Sequence, residues 1–242
     1  PLHLHINEVA EKSRLRLKQD GTTDLTKDIH LGNMAASVDW SGNDQSEGWR
    51  FYTDGSEIEE AVGASVVLMR DGEIKGQREF TLERENSVFQ AEVLAIREAC
   101  KWAYELNHNE IQILSDSQAA IKALMNISVT SKLVLDTKNQ IVNLKKKKDV
   151  HISWVKAHCG ILGNELADKA AKKGARGEGQ KIYVHPSARK KSQRIEQNTK
   201  HLWQKEWMES DIKGAKDFCP NVINRWSQVI GSFRKTELAQ TI

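Results

Sequence analysis

Arg50-Phe51-Tyr52-Thr53-Asp54-Gly55-Ser56 reads as a core strand that runs into an acidic residue and then a turn. Phe51 and Tyr52 suit a half-buried strand, and Gly55-Ser56 is expected to break it. Asp54 is then left at the C-terminal edge of the strand, where α/β sheets carry their chemistry. Alone, Thr-Asp-Gly-Ser reads more readily as a strand-ending turn than as a site, because Asp and Gly are common turn residues.

The sequence around this stretch alternates between short β and long helical patterns. After Trp49–Asp54 come Gly63–Met69, the turn Arg70-Asp71-Gly72-Glu73, and Ile74–Leu82; an Asp-Gly pair between two apolar segments signals a hairpin. From Ser87 to Leu106, Val88, Ala91, Ala95, Ala99, Ala103 and Leu106 recur every three or four residues, which predicts a helix buried across the sheet. Ile111–Asp116 is a fourth strand, also ending in a carboxylate, and Val150–Val155 a fifth. Between them lie helices near Gln118–Met125 and Ser131–Leu144, the second running into Lys145-Lys146-Lys147-Lys148. That lysine run suits either a helix C-terminus, where the macrodipole favours cations, or a contact with substrate. Gly163–Lys173 is a last helix, stopped by Gly174. The expectation is an α/β fold, a five-stranded mixed sheet flanked by helices.

The flanks read differently. Asn7–Lys18 predicts a short basic helix, read as a solvated face, and residues 21–48 a mobile linker rich in Thr, Ser, Asn, Asp and Gly. Ala175-Arg176-Gly177-Glu178-Gly179 is a linker by composition. Residues 187–212 predict a helix with Ile195, Leu202, Trp203 and Trp207 as an apolar stripe, and Trp226, Val229 and Ile230 suggest another; both are read as packing surface. The chain therefore divides into an N-terminal flank and linker (1–48), a central domain (49–176) and a helical extension (177–242).

Of the 242 residues 39% are hydrophobic, enough to fill the core of one sizeable domain. No apolar run approaches the roughly 18 residues that span a bilayer, so no membrane partner is expected. Net charge is 36 − 33 = +3, which tolerates a polyanionic partner without demanding one. Cys100, Cys159 and Cys219 stand far apart, which argues against a disulfide framework and a zinc site and for a reducing, intracellular compartment. The chain begins with Pro1, as a fragment or processed product would.

Four acids stand in comparable settings. Asp54 and Asp116 end strands, Glu92 lies one turn into the long helix, and Asp168 is on the last helix, just after the loop Gly160-Ile161-Leu162-Gly163. If the long helix packs across the first and fourth strands, Asp54, Glu92 and Asp116 converge at one edge of the sheet. Carboxylates so close repel and raise one another's pKa unless cations neutralise them. Mg²⁺ suits oxygen ligands and phosphate oxygens together, and two ions about 4 Å apart serve phosphodiester hydrolysis.

Thr53-Asp54-Gly55-Ser56, Phe89-Gln90-Ala91-Glu92, Leu114-Ser115-Asp116-Ser117 and Trp154–Asp168, with its Lys156-Ala157-His158-Cys159-Gly160 and Gly163-Asn164-Glu165, together resemble type I ribonuclease H. The resemblance covers roughly residues 49–176 with all motifs in family order. The linker, the Trp-rich tail and the Cys after His158 are further similar to the ribonuclease H region of insect non-LTR retrotransposon polyproteins. It implies cleavage of the RNA strand of an RNA–DNA hybrid with two Mg²⁺ ions, Mn²⁺ being the alternative. Asp54 would bridge both ions, Glu92 and Asp116 would complete one site, and Asp168 would hold the other ion. His158 would assist proton transfer and product departure. Gly55, Ser56, Ser117, Gln118 and Asn164 would contact the substrate, with shape read rather than sequence.

The resemblance also implies a reverse transcriptase domain in the same polyprotein as partner, and work in cytoplasm, nucleus or both. Between Asp116 and His158 there is room for two helices but not for the additional basic helix of some relatives, so grip would fall to Lys145–Lys148, the flanks or the partner domain. A silent hybrid-binding or spacer domain of the same fold is the main alternative, and it predicts a lost carboxylate. A transposase or integrase would carry an Asp-Asp-Glu order, whereas the order here is Asp-Glu-Asp-Asp.

Overall fold

The computed structural model describes residues 38–42, 48–126 and 128–209. The chain divides into two compact units, Leu17–Lys190 and a second formed by Pro1–Arg16 with Lys191–Ile242. The helix expected over Asn7–Lys18, most of the 21–48 linker and the segment around Trp226 lie outside the described residues.

The first unit is a mixed sheet of seven strands: β1 (Val38–Gly42), β2 (Trp49–Ile58), β3 (Ala61–Arg70), β4 (Glu73–Leu82), β5 (Glu110–Ser115), β6 (Asp149–Val155) and β7 (Gln180–Lys181). Their order across the sheet is β1-β6-β5-β2-β3-β4-β7. β1, β6, β5 and β2 run parallel, β2-β3-β4 form an antiparallel meander, and β7 pairs parallel with β4. Asp71 and Gly72 close the β3–β4 hairpin with φ of 50° and 81°, as a type I′ turn requires.

The sequence led to five strands, and those are β2 to β6. The two additions are the outermost. β1 falls in the stretch read as linker: a short, polar segment that extends only because β6 offers it backbone partners, with Val38 opposite Ile152. β7 is two residues long, below what periodicity can register.

Helices α1 (Val88–Glu105), α2 (Gln118–Met125), α3 (Lys132–Lys145) and α4 (Leu162–Lys173) follow the predicted periodicities within a residue or two. Ser87 caps α1 in a capping box with Gln90, and Ser117 and Ser131 cap α2 and α3. Strand alternation divides the core in two. Phe51, Val66, Leu68, Phe80 and Ile113 pack with α1, α2 and α3, whereas Tyr52, Val67, Met69, Leu114 and Val155 pack with Ala167 and Ala170 of α4. The sheet is thus covered on both faces, and its parallel half is buried as such sheets must be.

Gly174 does not stop α4. It keeps helical dihedrals and opens a π-type turn, Gly174–Glu178, which ends at Gly177 with φ of 88°. Glycine is needed at 174 for close approach, since a Cβ there would lie 2.4 Å from the Phe80 carbonyl oxygen. The 175–179 stretch read as linker is therefore packed structure, with Ala175 buried.

Helix α5 (Ala188–Glu209) matches the expected C-terminal helix. From Lys191 on it belongs to the second unit, where Ile195, Trp203 and Trp207 are half-buried and Leu202 is exposed.

Candidate active site

β2 does not break at Gly55. It stays extended to Ile58 because β3 pairs with it along its whole length, Gly55 opposite Ala64 and Ser56 opposite Gly63. Its other neighbour stops earlier, the last β2–β5 pair being Thr53 with Ser115. Asp54 and Asp116 are therefore the first residues past the same rung, where the parallel ladder opens. Glycine at 55 answers to α1, because a Cβ would lie 2.6 Å from the Glu92 backbone nitrogen. That contact brings the first turns of α1 onto β2 and delivers Glu92 beside the two aspartates.

Carboxylate oxygens of Asp54, Glu92 and Asp116 all lie within 4.8 Å of one another. Asp54 and Glu92 are buried, at 7% and 9% exposure, and Asp116 is half-buried. Burial, then the charges of Asp116 and Asp168, push the Asp54 carboxyl up to about 7, against the Gly55 N–H and the Lys172 ammonium. Burial and the charges of Asp54 and Asp116 hold Glu92 well above the usual range. Asp116 is raised mainly by burial and restrained by the Asn164 amide and the nearby His158.

Among the described residues nothing hydrogen-bonds to Glu92 Oε2, although it is buried. An orphaned acceptor among three hard oxygen donors, each disfavouring its own ionised form, is what a divalent cation would satisfy. The residues present fit a hard divalent cation.

Asp168 stands outside that trio. From α4 it affects the potential at both aspartates, yet its Oδ2 accepts from Lys172 Nζ at 2.7 Å one helical turn on. His158 sits on the exposed loop after β6 with φ of 53°, close enough to Asp116 to favour its ionised form. The neighbouring Cys159 is exposed and Cys100 is buried; both are free.

The residues expected to contact substrate have other work in view. Gly55 is pressed beneath α1, Ser56 is buried in β2, and Ser117 Oγ caps α2 by accepting from Ala120 N at 3.3 Å. Gln118 is exposed and accepts from Lys122 at 3.2 Å. Asn164 is buried and donates to Asp116 Oδ2 at 3.1 Å.

Three contributors escaped the sequence reading. Trp154 Nε1 donates to the Asp116 carbonyl at 3.0 Å, Lys172 pairs with Asp168, and Gln90 knits the start of α1 to the segment before α5. The i, i+4 spacing of Asp168 and Lys172 and the Ser87-x-x-Gln90 capping pattern were the readable signals among them. In the lysine run, Lys148 donates to the carbonyls of Leu106 and His108 and Lys147 lies over the Tyr104 ring, so both are engaged in the fold.

No helix among the described residues is long and apolar enough to cross a membrane. The family model for RNase H matches residues 46–176. Among solved structures, the chain is similar to RNase H1 from the halophilic archaeon Halobacterium salinarum, at 23% identity over 53% of this chain and 98% of that one, with a TM-score of 0.44. It is also similar to a foamy viral protease-reverse transcriptase in complex with dsDNA (25% identity, 55% and 96% covered, TM-score 0.47). A third is the N-terminal RNase H domain of a Mycobacterium tuberculosis protein, fused to maltose-binding protein (17%, 55% and 100%, 0.45). Because the family match takes in more than half of the residues, this chain belongs to the RNase H family, and its domain is that of a ribonuclease H enzyme.

Proposed function

We propose that this domain hydrolyses the RNA strand of RNA–DNA hybrids using two divalent cations, with Asp54, Glu92, Asp116 and Asp168 as ligands. The observation that carries the reading is the trio of buried Asp54 and Glu92 with half-buried Asp116: one carboxylate oxygen from each lies within 4.8 Å of the others, and Glu92 Oε2 has no hydrogen-bond partner among the described residues. When bound, such ions supply activated water and stabilise the charge on the leaving oxygen.

The protein's own groups do the rest. Asp54, next to both Asp116 and Asp168 in the electrostatics, is the shared ligand. Asn164 and Trp154 anchor Asp116, through its carboxylate and its backbone carbonyl, so that it need not reorganise when substrate arrives. His158, exposed and near Asp116, accepts and returns a proton at the leaving side. The exposed Gln118 and the groups about Gly55, Ser56, Ser117 and Asn164 are the ones that would meet a hybrid's minor groove with its 2′-hydroxyls. Retroelement origin, with a reverse transcriptase domain as neighbour, is supported by the motif resemblance and the Trp-rich tail.

The test is cleavage of a labelled RNA–DNA hybrid by the full chain, beside RNA–RNA and DNA–DNA duplexes, with Mg²⁺ and with EDTA. Cutting of the hybrid's RNA strand alone, abolished by EDTA and by Asp54→Asn, is the expected result. Cleavage that survives Asp54→Asn would overturn the ligand assignment.

A further inference from the structure

Residues 180–187 lie past the family match at 176, yet they are built into the domain. β7 pairs with Phe80 and Thr81, and Ile182 N donates to the Thr81 carbonyl at 3.0 Å. Thr81 Oγ1 donates to Gly174 O at 2.7 Å and accepts from Gly179 N at 3.2 Å. Val184 is buried in the main core, and its carbonyl accepts from the buried Asn86 side chain at 3.0 Å. Beyond the strap, Lys190 pairs with Glu57 of β2 at 2.7 Å, three residues from Asp54.

The centre of this arrangement is Gln90. Its Nε2 donates to the His185 carbonyl at 2.7 Å, while its Oε1 accepts from Ser187 N and Ser87 N, both at 3.2 Å. One buried amide thus ties the strap to the N-cap of α1, two residues before Glu92. Two residues of helix are only about 3 Å of rise, and the Gly55 contact leaves α1 no slack against β2 at Glu92.

We propose that the strap Ile182–Ser187, acting through Gln90, is a positioning element for Glu92. It fixes the first turn of α1 so that the Glu92 carboxylate stays with Asp54 and Asp116. The inference rests on the reading of Glu92 as a metal ligand. Gln90 touches no reacting atom; it acts through the helix, as supporting residues orient ligands elsewhere.

The experiment uses the full chain and reads Mg²⁺ binding by calorimetry, with kcat and KM for the hybrid and Tm alongside. Gln90→Met keeps side-chain length and removes every side-chain hydrogen bond, while Gln90 N still donates to Ser87 Oγ. It should weaken Mg²⁺ binding and lower kcat by roughly tenfold, with KM for the hybrid little changed. Asn86→Leu removes the bond to the Val184 carbonyl and a longer one to Gln90 Oε1, at 3.4 Å, and should move Mg²⁺ binding the same way by less. Thr81→Val loosens the Gly174–Gly179 turn ahead of the strap, leaves the backbone bond to Ile182 in place, and should lower Tm without moving Mg²⁺ binding.

Unchanged Mg²⁺ binding in Gln90→Met, or shifts that track Tm across all three variants, would overturn the positioning role. A Glu92→Gln arm separates the two readings. If that variant binds Mg²⁺ as the parent does, the ligand assignment fails and the strap's role with it; if it does not, a silent Gln90→Met defeats the strap alone.

Discussion

Lys172 Nζ lies 2.7 Å from Asp168 Oδ2, so the carboxylate furthest from the buried trio is held by a cation of the protein itself. Lys172 also lowers the Asp54 carboxyl, and it is nearly half exposed, which lets it swing away at small cost. A second divalent ion of the kind proposed above would have to displace it from Asp168. Lys172→Ala should therefore reduce the Mg²⁺ needed for half-maximal cleavage by roughly two- to fivefold, the worth of one partly exposed ion pair. A Mg²⁺ titration of cleavage reads this, and an unchanged or higher midpoint would make Lys172 a helper of Asp168 rather than a competitor.

Metal-free stability should depend on pH with an unusual sign. Asp54 rises from the ordinary 3.8 to about 7 in the folded state, so between those values the native chain holds a proton that the unfolded chain has lost. Stability then falls as pH rises through that window, by a few kcal/mol in order of magnitude. In EDTA, Tm should drop by several degrees between about pH 5 and pH 8. Asp54→Asn should flatten part of that slope, the rest belonging to Glu92 and Asp116, and raise Tm at the alkaline end. A Tm independent of pH in the parent would mean that the three carboxylates do not crowd one another in solution.

Gly55→Ala tests steric coupling between strand and helix. The new methyl meets Glu92 N at 2.6 Å and the Ala91 backbone at 3.0 Å, so α1 must shift away from β2. Overpacking of this kind costs about 1–3 kcal/mol, while displacement of a ligand by a fraction of an ångström can slow chemistry up to roughly a hundredfold. Turnover measured well below Tm should fall far more than stability does. A proportionate loss of both would return Gly55 to an ordinary packing role.

Lys148→Ala should destabilise the fold by about 1 kcal/mol, because the ammonium caps the Leu106 and His108 carbonyls at the end of α1. Both bonds hold the ammonium against the chain's own carbonyls, which leaves it less free to reach a phosphate. The salt dependence of hybrid binding should be unchanged. A slope reduced by about one unit would instead identify a phosphate contact.

Much of this was legible because it depends on local pattern. The periodicity of Val88–Leu106 found α1, Asp71-Gly72 found the hairpin, and two strand-ending acids with one helical acid found the trio. What was not legible depends on partners far along the chain. Gly55 looks like a turn former until β3 is known to run beside it, and Gly174 looks like a helix stop until the Phe80 carbonyl is seen beneath it. The lysine run read as charge, but two of its members are committed to carbonyls and a ring. Gln90 is legible as part of the Phe89–Glu92 motif and as a capping-box partner of Ser87, but its tie to His185 and Ser187 is not, since they lie about a hundred residues away.

The five strands inside residues 46–176 form a sheet with two bare margins, β6 and β4, and both are closed by residues outside that span. Val38–Gly42 covers the first and Gln180–Lys181 the second. A fragment trimmed to the family match would present unpaired N–H and C=O groups along β6, a central-type strand rich in Val and Ile with no charge pointing inward to deter pairing. Such a fragment could keep every acid of the site and still be lost to self-association. The short polar flanks thus act as the molecule's guard against adding a second copy of itself, strand to strand.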